Sequence, residues 1–153
     1  MRLSGITMSI KRIFITTFLL FGVVCTAPAC AFRDSGDNGS ASTDDSAIAR
    51  AFKEKKSNVQ VEGEGVVERI LADDLVGGKH QRFIVRLGSG QTLLISHNID
   101  LAPRVAGLQE GDRIAFYGEY IWNSQGGIVH WTHHDPQGRH VAGWLKHQGR
   151  TYQ

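Results

Sequence analysis

From residue 58 onward the apolar residues fall on every second position, the period of a strand with one buried face, and this alternation constrains the fold more than any other feature of the chain. Val59, Val61 and Val67 mark a long first strand, and Gly63 and Gly65 within it predict a bulge or sharp bend of the kind small barrels use at a corner. Phe83, Val85 and Leu87 alternate with Ile84 and Arg86 in a second strand. Gly88, Ser89 and Gly90 then turn the chain into Leu93, Ile95 and His97, whose opposite face carries Leu94 and Ser96. Over residues 97–108 the pattern breaks at Asn98, Asp100, Pro103 and Gly107, which predicts a structured connection with one helical turn. A fourth strand follows Gly111 and Asp112, with Ile114, Phe116, Gly118 and Tyr120 on one face and Ala115, Tyr117, Glu119 and Ile121 on the other. Residues 123–127 form the next turn and residues 128–134 a fifth strand. Three meandering strands, a connection and two further strands is the order of the OB-fold, an all-β, five-stranded Greek-key barrel. A curved open sheet with a helix packed on one side is the alternative. Residues 141–152 are expected to place Trp144 and Leu145 over one mouth of the barrel, with a turn at Gly149.

Upstream of the strands the period is helical. Asp44, Asp45 and Ser46 offer N-cap oxygens, Ile48 and Phe52 are spaced i,i+4, and Lys53, Lys55 and Lys56 crowd the C-terminal end where the dipole favours them. One short helix therefore precedes the barrel, and residues 44–153 read as a single domain. Residues 32–43 are rich in Ser, Gly, Asp and Asn and cannot bury enough surface to offset their ordering entropy, so they read as a flexible spacer. In residues 1–31, Lys11 and Arg12 precede an apolar stretch and then Ala27, Ala29 and Ala31, the three-part order of a cleavable export signal. The stretch falls short of the roughly 20 apolar residues a membrane span requires. Met8 is a second candidate start. Cleavage after Ala29 would make Cys30 the first mature residue and a candidate for lipid attachment, whereas cleavage after Ala31 would release a soluble periplasmic or secreted protein.

Export changes the electrostatic reading. The whole chain has 17 Lys and Arg against 15 Asp and Glu, but loss of Arg2, Lys11 and Arg12 leaves 14 against 15, a net charge of −1. The basic pI of the full chain is thus no argument for a nucleic-acid partner.

Three groups of residues could carry chemistry. His130, His133, His134 and His140 crowd together with Asp135, and such ligands suit zinc or another transition ion. Along an extended strand His130 and His134 share a face about 13 Å apart, too far to meet on one ion, while His133 and Asp135 stand about 6.6 Å apart. His140 would fold back to them after Pro136, Gln137 and Gly138. The competing reading is that these imidazoles make hydrogen bonds in a tight polar turn. Second, the aromatic residues of the last strands suggest a stacking face for an extended or small ligand, built from Trp122, Trp131, Tyr120 and the polar His97; filling a small core is the other use of such rings. Third, Asp73 and Asp74, near Lys79, His80 and Arg82, could hold a divalent ion beside a phosphate, although the following Leu75-Val76-Gly77-Gly78 is ordinary turn composition.

The stretches HQRFIVRL at residues 80–87, HNIDLAPR at 97–104, GDRIAFYGEY at 111–120 and HWTHHDPQGRH at 130–140 resemble a bacterial family of small secreted proteins known only as a domain of unknown function. The resemblance implies export, bacterial origin and a single domain, and carries over no activity. The functional reading from the residues is a non-catalytic exported barrel that binds a small or extended ligand through its open strand face. The alternative is a metal-binding or phosphodiesterase-like hydrolytic protein using residues 130–140 or Asp73 and Asp74.

Overall fold

The structure, a computed structural model, describes residues 45–153, so the expected export signal and spacer, with Asp44 and Cys30, lie outside the described residues. Helix α1 spans Asp45–Lys53 and is followed by β1 (Val59–Ile70), β2 (His80–Leu87), β3 (Thr92–Asn98), β4 (Arg113–Ile121), β5 (Ile128–His130), β6 (Trp144–His147) and β7 (Arg150–Tyr152). The sheet runs β1-β2-β3-β5-β4-β6-β7, and an additional β1–β4 pairing closes the first five strands into a barrel. Every pairing is antiparallel except β3 with β5. This is the connectivity of a small OB-like barrel.

Closure depends on β1 serving two neighbours. Its first part pairs with β4 from Val59↔Tyr120 to Val66↔Arg113, and its last part pairs with β2 from Gly65↔Leu87 to Ile70↔Phe83. Gly65 and Val66 pair on both sides, so the corner lies there. The register break sits further on, between Val67 and Arg69, and not at the glycines. Gly65 instead serves close approach: a Cβ there would stand 2.5 Å from Val85 Cγ1 and collide with the Arg86 carbonyl.

The alternation read from the sequence is the burial pattern. Phe83 and Val85 of β2, Leu93 and Ile95 of β3, and Ile114, Phe116 and Tyr120 of β4 are essentially inaccessible. Ile48 and Ala51 carry α1 into the same core, with Ile48 Cδ1 lying near Phe116 beneath Gly63. The Asp45 carboxylate accepts a bond from Ser89 N–H at 3.1 Å, tying the first turn of the helix to the β2–β3 hairpin.

Three expected features differ. Residues 99–112 contain turns and bends but no helix. Their organisation comes from side chains: Asp112 Oδ2 accepts the Gln109 N–H at 2.8 Å and faces His147 Nε2 at 2.9 Å, while the Gln81 amide, buried on β2, bonds the Val105 N–H and carbonyl at 2.8 and 3.2 Å. The fifth strand ends at His130 rather than at His134, because Trp131 adopts a left-handed φ of 52° that no ladder accommodates. Finally, only Leu145 enters the core; Trp144 faces outward on β6, stacked on Tyr117 at 6.1 Å with Lys146 Nζ 4.0 Å from its ring centre, because β6 extends the sheet beside β4 instead of crossing a mouth. No helix among the described residues is long and apolar enough to cross a membrane.

Candidate functional site

The pairing registers lay the outward side chains of the barrel in rows. Arg82 pairs with Ser96, His80 pairs with Asn98, and Glu119 pairs with His130. The parallel register Leu94↔Ile128 and Ile95↔Val129, carried one residue further, brings Ser96 beside His130. Where β5 stops, this outer face opens into a cleft of about 170 Å³ lined by His80, Ser96, Asn98, Leu101, His130, Trp131 and His133. A wider depression lies along α1, lined by Arg50, Glu54 and Lys56, two of which pair with each other at 2.7 Å on the solvated helix end. The cleft at the end of β5 is the one where partner-free ring nitrogens collect.

Glu119 organises the wall of the cleft. One carboxylate oxygen accepts from His130 Nε2 at 3.1 Å and the other from His140 Nε2 at 2.9 Å. Burial opposes the charge of Glu119, but these bonds, His140's first, hold its carboxyl below the usual range. His140 also places Nδ1 2.8 Å from the Val141 carbonyl. Both its nitrogens thus face groups that only accept, so both carry protons and the ring is an imidazolium. Burial works against that charge, yet Glu119, the Val141 carbonyl and Asp135 raise its pKa above the ordinary histidine value. The cation lies flat on Trp131, with ring centres 4.1 Å apart and an angle of 9° between planes. His130 goes the other way, its pKa lowered chiefly by burial against the pull of Glu119.

The turn that follows is held by Asp135, whose carboxylate accepts the backbone N–H groups of Gln137, Arg139 and His140 at 2.9, 2.7 and 3.0 Å. These bonds, that of Gln137 first, depress its pKa. The turn returns the chain across residues 131–132 at Gly143, where a Cβ would meet the Trp131 and Tyr117 carbonyls, and Gly143 N–H bonds the His133 carbonyl at 3.0 Å.

The residues singled out in the sequence therefore part company. His130, Trp131 and His133 line the cleft. Asp135 and His140 support it from behind, and His134 is exposed, its carbonyl accepting from His133 Nδ1 at 2.7 Å. Among the described residues no group of three His, Cys, Asp or Glu side chains is gathered to hold an ion as placed. Tyr120 is in the core, its hydroxyl on the Gly126 carbonyl at 3.1 Å. His97 is fully buried. Its Nε2 must donate to the Pro103 carbonyl at 3.1 Å, so Nδ1 accepts from the Thr132 hydroxyl at 2.9 Å. Trp122 packs against the edge of the core with Lys55 Nζ 5.5 Å from its ring centre, and the rings do not form one stacking face. Asp73 pairs with Arg104, and Asp74 with Arg82 at 3.7 Å, so each aspartate has its own cation. Ser96, Asn98 and Glu119 have no site role in the sequence reading, and His80 stands there only beside Asp73 and Asp74, because strand register rather than sequence spacing brings these residues to the cleft.

Fold and cleft together define a small OB-like barrel with a polar, imidazole-lined opening on its strand face. The chain belongs to the family described as Protein of unknown function (DUF3465), which it matches over residues 32–153. No curated protein matches it.

Proposed function

We propose that this is an exported, non-catalytic binding module that takes a small ligand into the cleft at the end of β5. The observation that carries the reading is the convergence there of polar groups without internal partners. His80 Nε2, His130 Nδ1 and His133 Nε2 have none, and the Asn98 amide nitrogen has none because only its oxygen is engaged, by Asp100 N–H at 2.9 Å. Unsatisfied polar groups around a concavity are what fix a ligand's orientation. The non-catalytic part of the reading rests on the Glu119–His140 pair: the carboxylate oxygens accept from His130 and His140, and the protons of His140 are committed to Glu119 and to the Val141 carbonyl. Export is supported by the basic, apolar and small-residue order of the first 31 residues.

A fragment screen of small polar molecules against the ¹⁵N-labelled mature protein, run in EDTA, tests this. Binders should move the amide signals of His80, Ser96, Asn98, His130 and His133. Shifts confined to α1 or to β6–β7, or none at all, would refute the cleft as the binding place.

A further inference from the structure

We propose that the cleft is a transition-metal site of the zinc type, with His80, His130 and His133 as its protein ligands. The assignment rests on the reading of this cleft as the binding place and names what it binds. Each of the three rings has one nitrogen against a group that can only accept. His80 Nδ1 faces the Gly78 carbonyl at 3.1 Å, His133 Nδ1 the His134 carbonyl at 2.7 Å, and His130 Nε2 the Glu119 carboxylate at 3.1 Å. The proton of each neutral ring is therefore fixed on that nitrogen, and the lone pair sits on the other: Nε2, Nε2 and Nδ1 respectively. Ligating imidazoles are oriented in this way, by donating their second nitrogen to a carbonyl or carboxylate.

All three rings line the cleft, and the free nitrogen of the most buried of them, His133, is accessible. His133 is 3 % exposed, yet its Nε2 is absent from the buried partnerless atoms of the described residues, which are Asp45 Oδ1, Gln60 Nε2 and Trp122 Nε1. That nitrogen therefore has access to solvent, and the cleft His133 lines supplies it. Size points the same way: about 170 Å³ is below the roughly 300–1,000 Å³ of sites for drug-sized molecules, but it accommodates an ion with waters of about 30 Å³ each.

Asp135 and His140 do not belong to the set. The oxygens of Asp135 are taken by three backbone amides, and both nitrogens of His140 carry protons. As placed, the three ligand rings surround the cleft without meeting at one point. A bound zinc ion would require their free nitrogens to move inward and would take water as a further ligand.

The test is zinc chloride titrated into the metal-stripped mature protein, followed by calorimetry and by the ring-nitrogen NMR signals of the histidines. One equivalent should bind, moving His80 Nε2, His130 Nδ1 and His133 Nε2. His80→Ala, His130→Ala and His133→Ala should each weaken binding more than about tenfold, while His134→Ala leaves it unchanged. The ring signals are read in the unsubstituted protein, so a variant that misfolds does not spoil the answer. Absence of uptake, or movement of His134 or His140 in place of the named nitrogens, overturns the assignment. Fragments that occupy the cleft in EDTA while zinc does not bind would overturn the metal alone; no binding of either kind would overturn both readings.

Discussion

Burial drives the pKa of His97 down to about 4 from its ordinary 6.5, with the nearby His133 and His80 adding to the fall and the bond to the Pro103 carbonyl opposing it. The folded protein therefore refuses a proton that the unfolded chain accepts between these two values. Because the folded pKa is the lower one, the contribution is complete above about pH 6.5 and is lost as the pH falls towards 4. The whole span is worth about 3 kcal/mol, most of which is gone by pH 4.5. Against the roughly 5–15 kcal/mol of a typical domain this is a large loss. His97→Gln keeps a donor for Pro103 but cannot be protonated, and at pH 7 it should cost about 1–3 kcal/mol through the lost Thr132 bond. Urea unfolding followed by tryptophan fluorescence at pH 7 and about pH 4.5 measures both proteins. Glu119, Asp112 and Asp135, whose pKa values are also depressed, weaken on acidification in each, so the informative quantity is the gap between wild type and variant. The stability of wild type relative to the variant should fall by about 2–3 kcal/mol at the lower pH, enough to close the gap or reverse it. The same difference, in size and sign, at both pH values would refute the argument that a neutral, buried His97 is an acid-labile element.

Two further outcomes follow from the fold and the leader. Gly65→Val puts a branched side chain against Val85 and the Arg86 carbonyl, and should cost about 2 kcal/mol or more, lowering Tm by about 8 °C, whereas Lys55→Ala at the exposed helix end stays within about 1 kcal/mol; equal melting temperatures would contradict the close-approach argument. Intact-mass analysis of protein recovered from cells should show a new N-terminus at Cys30 or Phe32, with added lipid mass in the first case, and recovery of a chain beginning at Met1 or Met8 would sink the export reading.

The inward faces of the strands were legible because one-sided burial leaves a period of two. Phe83, Val85 and Leu87, then Leu93, Ile95 and His97, then Ile114, Phe116 and Tyr120 stand in the core as their spacing requires. Pairing register was not legible, and the site depends on register. Nothing in the chain from His80 to His130 indicates that one opposes Asn98 while the other opposes Glu119. The end of β5 was hidden for a related reason: residues 128–134 have strand composition, and the left-handed Trp131 is imposed by a stack on His140 and a crossing at Gly143, both of which come later in the chain.

The same feature that defeats the strand pattern produces the cleft. In a small barrel each strand must find a hydrogen-bonding neighbour along its length, and β5, with three residues, covers only the middle of β3, at Leu94 and Ile95, and the end of β4. The exposed stretch of β4 is taken by β6, through Ile114↔His147 to Tyr117↔Trp144. The corresponding stretch of β3 is not; beyond Ile95↔Val129 its partners are β2 and side chains. One of these, His97, turns inward and bonds Thr132, which fixes where the departing chain must pass. Ser96 and Asn98 turn outward, with β2 on one side and no ladder partner on the other, and the chain leaving β5 at Trp131 carries His133 to the same place. The opening is thus a missing length of strand roofed by the histidine-rich turn. Its lining is polar because Ser96 and Asn98 face outward in a sheet that would otherwise have been solvated there, and its position is held by the Glu119–His140–Trp131 stack rather than by the ladder.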